Sequence, residues 1–127
     1  MASNPVERYL AALGAGDFDV ARACLADDFT FSGWFGRYDS PDAYLAAMRR
    51  LRGFVEGMDV RHVFAHGPEV CLIYTSHTRN GDAVPAAAWF RLDGDRIRSL
   101  EVICDSRPFQ AFWQEALGES DAGSTGS

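Results

Sequence analysis

The sequence predicts an α+β fold: a cone-shaped, curved antiparallel sheet with three N-terminal helices enclosing a pocket. Three observations predict it. Apolar residues recur at helical spacing in the first half of the chain and at a period of two in the second. Asn80-Gly81 and Asp93-Gly94 stand between apolar runs and supply the positive φ angles of tight hairpin turns. Ala86, Ala87 and Ala88 stand in a row on a strand. Alanine is a poor strand former, so its small side chains indicate room kept above the sheet. Helices early and antiparallel strands late indicate α+β rather than a parallel sheet.

The elements follow in order. Asn4-Pro5 opens a helix, with Asn4 as N-cap, Pro5 at the first helical position and Glu7 at the capping-box position. Val6, Tyr9, Leu10 and Leu13 form its apolar face, and Gly14 and Gly16 stop it. Asp17 caps a shorter helix with the face Val20, Ala21, Cys24 and Leu25. Residues 29–32 alternate as a short strand. The loop 33–39 carries Trp34, Phe35 and Tyr38; aromatics are costly to leave in water, so it is expected to close over the pocket as a lid. Ser40-Pro41-Asp42 starts a third helix with Tyr44, Leu45, Met48 and Leu51 on one face and Arg49, Arg50 and Arg52 on its outer side. Residues 58–66, 70–79 and the hairpin 84–105 then form four antiparallel strands, with a turn at His66-Gly67-Pro68. Residues 108–117 add a short helix carrying Phe109, Phe112 and Trp113, and the Gly/Ser/Asp-rich residues 118–127 read as a disordered tail. The order is ααβαββββ, in one domain over residues 1–117.

Composition limits the function. The 127 residues are 47% hydrophobic and 24% charged, ordinary for a soluble globular domain with its own core. No apolar run approaches the ~20 residues of a membrane span, and no signal peptide opens the chain. A net charge of −6 disfavours nucleic acid and anionic membranes as partners. Cys24, Cys71 and Cys104 lie in apolar runs without CxxC spacing, as buried free thiols would, which fits a cytoplasmic location. His62 and His66 fall on a strand with no third ligand nearby, so no metal site is expected. No cofactor is expected either: the Gly14-x-Gly16 pair lacks the preceding strand of a dinucleotide fingerprint.

The element order and several segments resemble the NTF2-like superfamily, which includes SnoaL-like polyketide cyclases, limonene epoxide hydrolases and ketosteroid isomerases. Residues 6–17, Val-Glu-Arg-Tyr-Leu-Ala-Ala-Leu-Gly-Ala-Gly-Asp, are similar to the opening helix of the isomerases, and residues 25–31 to their passage into the first strand. Residues 89–97, followed by Cys104-Asp105, resemble the last hairpin of SnoaL-like proteins. The resemblance covers roughly residues 5–113 and implies an NTF2-like or cystatin-like α+β roll, with homodimer contacts through the outer sheet face, where Arg98 and Glu101 are expected. Tyr9 falls where the isomerases carry the tyrosine that donates to the developing enolate oxygen. Gly33 falls on their aspartate base and Ala88 on their protonated aspartic acid. With two of the three groups absent, isomerisation by that route is not implied.

The resulting expectation is a small-molecule-binding SnoaL-like homodimer. As a cofactor-independent acid/base enzyme it would be a cyclase, isomerase, dehydratase or hydrolase on an apolar polyketide- or steroid-like substrate. The alternative is a non-catalytic ligand-binding or dimerisation module. Tyr9, His77 and Asp105 are the catalytic candidates: a phenol can hold charge on an oxygen, and an imidazole or carboxylate can move the proton. Against this, Tyr9 also reads as a core tyrosine, His77 as a half-exposed hairpin residue, and Asp105 as a helix cap or a partner of Arg107. His77 counts as inward only through the isomerase resemblance, which turns Cys71, Ile73 and Thr75 inward with it. The expected lining is Phe31, Phe54, Ile73, Ala86, Ala88, Phe90, Leu100 and Val102, beneath the lid of Trp34, Phe35 and Tyr38.

Overall fold

A computed structural model describes residues 5–34 and 36–109. Its elements are α1 (Pro5–Ala15), α2 (Phe18–Ala23), β1 (Leu25–Gly33), β2 (Gly36–Tyr38), α3 (Pro41–Arg52), β3 (Val55–His66), β4 (Glu69–Thr78), β5 (Ala83–Asp93) and β6 (Arg96–Cys104). They build an α+β fold with a curved, unclosed six-stranded sheet in the order β2-β1-β6-β5-β4-β3. The last four strands are an antiparallel meander. β1 enters beside β6 in parallel, Phe31 opposite Leu100, which returns the early part of the chain to the end of the sheet.

Local chemistry sets the helices where the sequence put them. Asp17 accepts from the Val20 N–H at 3.1 Å to cap α2, and Ser40 Oγ accepts from the Ala43 N–H at 3.1 Å to cap α3. Each such cap contributes about 1 kcal/mol. α1 runs through Gly14 and ends only at Gly16, where φ is +74°. Arg52 of α3 donates to the Leu13 and Gly14 carbonyls at that end, so one arginine of the basic run ties two helices together.

Two expectations change. The strand foreseen over 29–32 runs from Leu25 to Gly33. The foreseen aromatic loop holds the edge strand β2, which pairs Tyr38 with Phe31 and sets their rings 6.1 Å apart. A lid there is replaced by a sheet edge, because the backbone groups of 36–38 find partners on β1. Residues 107–109 are helical, at the start of the foreseen terminal helix; Phe35, the Asn4 cap and residues 110–127, with the rest of that helix and the tail, lie outside the described residues.

The core lies between the helices and the concave face of the sheet. Phe29 and Phe31 of β1 pack on Tyr44 of α3, at ring centroid distances of 5.2 and 4.7 Å. Tyr9 of α1 meets Phe90 of β5 edge-on at 6.1 Å. A second cluster of Leu51, Phe54, Val84 and Phe109 closes the end nearest the α3 C-terminus. Among the described residues no helix is long and apolar enough to cross a membrane.

Candidate ligand cavity

A cavity of about 90 Å³ remains between α1, α3 and the concave face. Helical spacing places Tyr9 and Leu13 over it from α1, and Tyr44 and Met48 from α3. The pleat places Leu72, Tyr74 and Ser76 of β4 on its floor, and Leu100, Val102 and Cys104 of β6. The three alanines divide by the same alternation: Ala86 and Ala88 line the cavity, while Ala87 faces the other way, between Ile73 and Ile103. No Asp, Glu, His, Lys or Arg lines the cavity among the described residues.

Its polar atoms are mostly phenolic. The Tyr9 and Tyr44 hydroxyls, both fully buried, hydrogen-bond to each other. Two hydroxyl protons share one bond, so one is left over. The Tyr74 hydroxyl makes no hydrogen bond among the described residues. Among the described residues the cavity therefore holds two phenolic O–H donors without a protein acceptor, and buried donors are costly to leave unmade.

Burial dominates the titration of these groups. It raises the Tyr9 phenol well above the ordinary tyrosine range, with the neighbouring Tyr44 adding to the effect. It raises Tyr44 and Tyr74 as well. The Cys104 thiol is pushed up to about 11 by burial and by the charge of Asp105. All four are neutral near pH 7, and the thiol is not a nucleophile in that state.

The residues foreseen as site residues separate. Tyr9, Phe31, Trp34, Ala86, Ala88, Phe90, Leu100 and Val102 line the cavity. Phe54 is buried beside it against Phe109, and Tyr38 lies behind Phe31. Ile73 and His77 lie on the opposite face of the sheet, and the His77 Nε2 is 2.8 Å from Asp59 Oδ2, both side chains open to solvent. Asp105 is exposed at the end of β6, where hydrogen bonds from the Arg107 side chain and backbone hold its carboxyl down at about 2. Neither proton carrier meets Tyr9, so the foreseen triad is not assembled.

The reversal on β4 has a countable cause. A two-residue Asn80-Gly81 turn would pair His77 with Val84, a cavity residue. The observed connection has three residues: Thr78 N–H donates to the Asp82 carbonyl at 2.9 Å, Gly81 takes φ +90°, and His77 pairs with Ala83. A one-residue slip sends every side chain of a strand to the other face. Thus Leu72, Tyr74 and Ser76 turn inward in place of Ile73, Thr75 and His77. Sequence reading missed Tyr44 and Tyr74 as the other polar groups; Tyr44 stood on the right helical face, while Tyr74 had no signal short of the loop length.

Gly33, aligned with the isomerase base, is closed to a side chain by packing: a Cβ there would come within 2.6 Å of Phe31 Cζ. Among the described residues no group of three His, Cys, Asp or Glu is placed to hold a metal ion.

Comparison with known proteins places this architecture. A family model described as a SnoaL-like domain matches residues 6–100. A solved protein from Kribbella flavida DSM 17836 is 28% identical, with a TM-score of 0.78 over 91% of this chain and 94% of that one. An NTF2-like protein of unknown function from Cytophaga hutchinsonii ATCC 33406 is 31% identical, with a TM-score of 0.74 over 84% and 91%. A putative SnoaL-like polyketide cyclase from Shewanella denitrificans OS-217 shares the fold at 19% identity, with a TM-score of 0.71 over 87% and 95%. No curated protein matches the chain.

Proposed function

The chain belongs to the SnoaL-like domain family, and from that premise we propose that it is a binding protein for a small, neutral, apolar molecule bearing one acceptor oxygen. The observation that carries this reading is the pair of unspent phenolic donors in a cavity with no charged side chain among the described residues. Apolar walls take up a hydrocarbon body, and the donors fix the position of a carbonyl or ether oxygen. A charged ligand would lose its hydration without compensation. Size favours a ligand of a few heavy atoms. A cavity of about 150 Å³ accepts benzene, and this one is smaller, so a polyketide or steroid exceeds it.

Acid/base catalysis is the weaker reading, because no Asp, Glu or His lines the cavity among the described residues and both foreseen proton carriers are engaged elsewhere. The test is a titration with 2-butanone followed by methyl resonances. Saturable shifts of the Ala86 and Ala88 methyls are expected, with none in Ala88→Phe, where the added ring fills the cavity. Shifts that persist in a folded Ala88→Phe would contradict the reading.

A second copy of the chain is the partner that the outer sheet face supports. Ile103, Ala87 and Ile73 form one continuous row across β6, β5 and β4, with Phe64 beside it on β3. Ile103 and Phe64 are 64% and 59% exposed. Two copies of such an exposed apolar patch would bury each other if related by a two-fold axis. Ile103→Asp should yield a monomer by sedimentation; a wild-type monomer at high concentration would contradict the dimer.

A further inference from the structure

A second concavity, of about 470 Å³, opens on the convex face, away from the ligand cavity. It is lined by Asp28 and Thr30 of β1, Arg91 and Leu92 of β5, Arg98 and Ser99 of β6, Glu69 of β4 and the turn residue Pro68. Thr30, Ser99, Arg91 and Glu69 stand in register across β1, β6, β5 and β4, so their side chains share one face in one row. A bulge in the pairing of β5 with β6 falls at this row and brings Arg98 to the same cleft.

The cleft is rich in donors that the chain does not use. Arg91 sits over the Trp89 ring, its guanidinium carbon 4.1 Å from the centroid, and makes no hydrogen bond or ion pair among the described residues. The indole Nε1–H donates to Glu69 Oε1 at 2.9 Å, which fixes the ring and engages one oxygen of that carboxylate. A stacked guanidinium keeps its N–H edge free for a planar acceptor. Arg98 and the hydroxyls of Thr30 and Ser99 also have no hydrogen-bond or ion-pair partner among the described residues. The Asp28 carboxylate, also in the lining, can accept from a hydroxyl or amine.

We propose that this cleft binds a small organic oxyanion, a carboxylate or a phosphate monoester, with its anionic head held by Arg91 and Arg98 and oriented by Thr30 and Ser99. The site is independent of the neutral cavity and stands whether or not that cavity binds ligand.

Inorganic phosphate and acetate, each titrated into the full chain at constant ionic strength, test it. The Trp89 indole N–H and the Arg98 Nε–H resonances should shift saturably with at least one of them. Saturation by phosphate alone assigns a phosphoryl ligand; saturation by both assigns the shared oxyanion chemistry. Arg98→Ala should weaken the response by about tenfold or more while the rest of the spectrum stays native. A linear response, the same response to chloride, or an unchanged Arg98→Ala would overturn the site.

Discussion

The two faces of β4 are built from alternate residues of one strand and differ in almost everything chemical. Leu72, Tyr74 and Ser76 face a neutral cavity under the helices; Cys71, Ile73 and His77 face outward with Phe64, Trp89 and Asp59. On this strand the residue most suggestive of catalysis in the sequence, His77, is on the outer face, and the groups able to hold a ligand are on the inner one. A side chain's chemical type therefore says little about function until the register that aims it is known.

Packing should separate the faces most. Leu72 is 2% exposed, so Leu72→Ala removes buried contacts and is expected to cost about 2–5 kcal/mol in denaturant unfolding. A loss as small as that of an exposed alanine substitution would mean that the helices do not cover this face.

Alkaline pH probes the inner face alone. Burial raises the folded-state pKa of Tyr9, Tyr44 and Tyr74 above the unfolded value near 10. The unfolded chain then releases protons that the folded chain retains, so the contribution of these three tyrosines is full below about pH 10 and falls as the pH rises above it. Replacing all three by Phe should flatten that decline; an unaltered decline would place its origin elsewhere.

Much of the fold was legible because it rests on local chemistry. The caps at Asp17 and Ser40, the helical stripes and the antiparallel meander with turns at Gly81 and Gly94 are all present. The short strand β2 was hidden because its aromatics read as a loop, and the parallel insertion of β1 is a long-range pairing that no local pattern encodes. The site was legible on β5 and β6, where Ala86, Ala88, Leu100 and Val102 keep the expected alternation. It failed on β4, where one additional turn residue reverses the face.

The outer face should respond least. His77 and Asp59 form a solvent-exposed pair, so His77→Ala is expected to change stability by less than about 1 kcal/mol. A larger loss would show the pair to be part of a buried interface between copies. Asp105 is also exposed. Its lowered pKa gives it a stabilising role present above the unfolded value near 4 and lost as the pH falls toward 2, so Asp105→Asn should remove only a shallow acid-side slope in unfolding.

The contrast between the faces meets its most direct test in the affinity for 2-butanone of the wild type, Tyr74→Phe and His77→Ala, measured side by side. Tyr74→Phe keeps the ring and deletes the donor, so binding should weaken by about tenfold, while His77→Ala binds as the wild type does. Unchanged binding in Tyr74→Phe, or an equal loss in His77→Ala, would contradict the assignment of ligand recognition to the concave face.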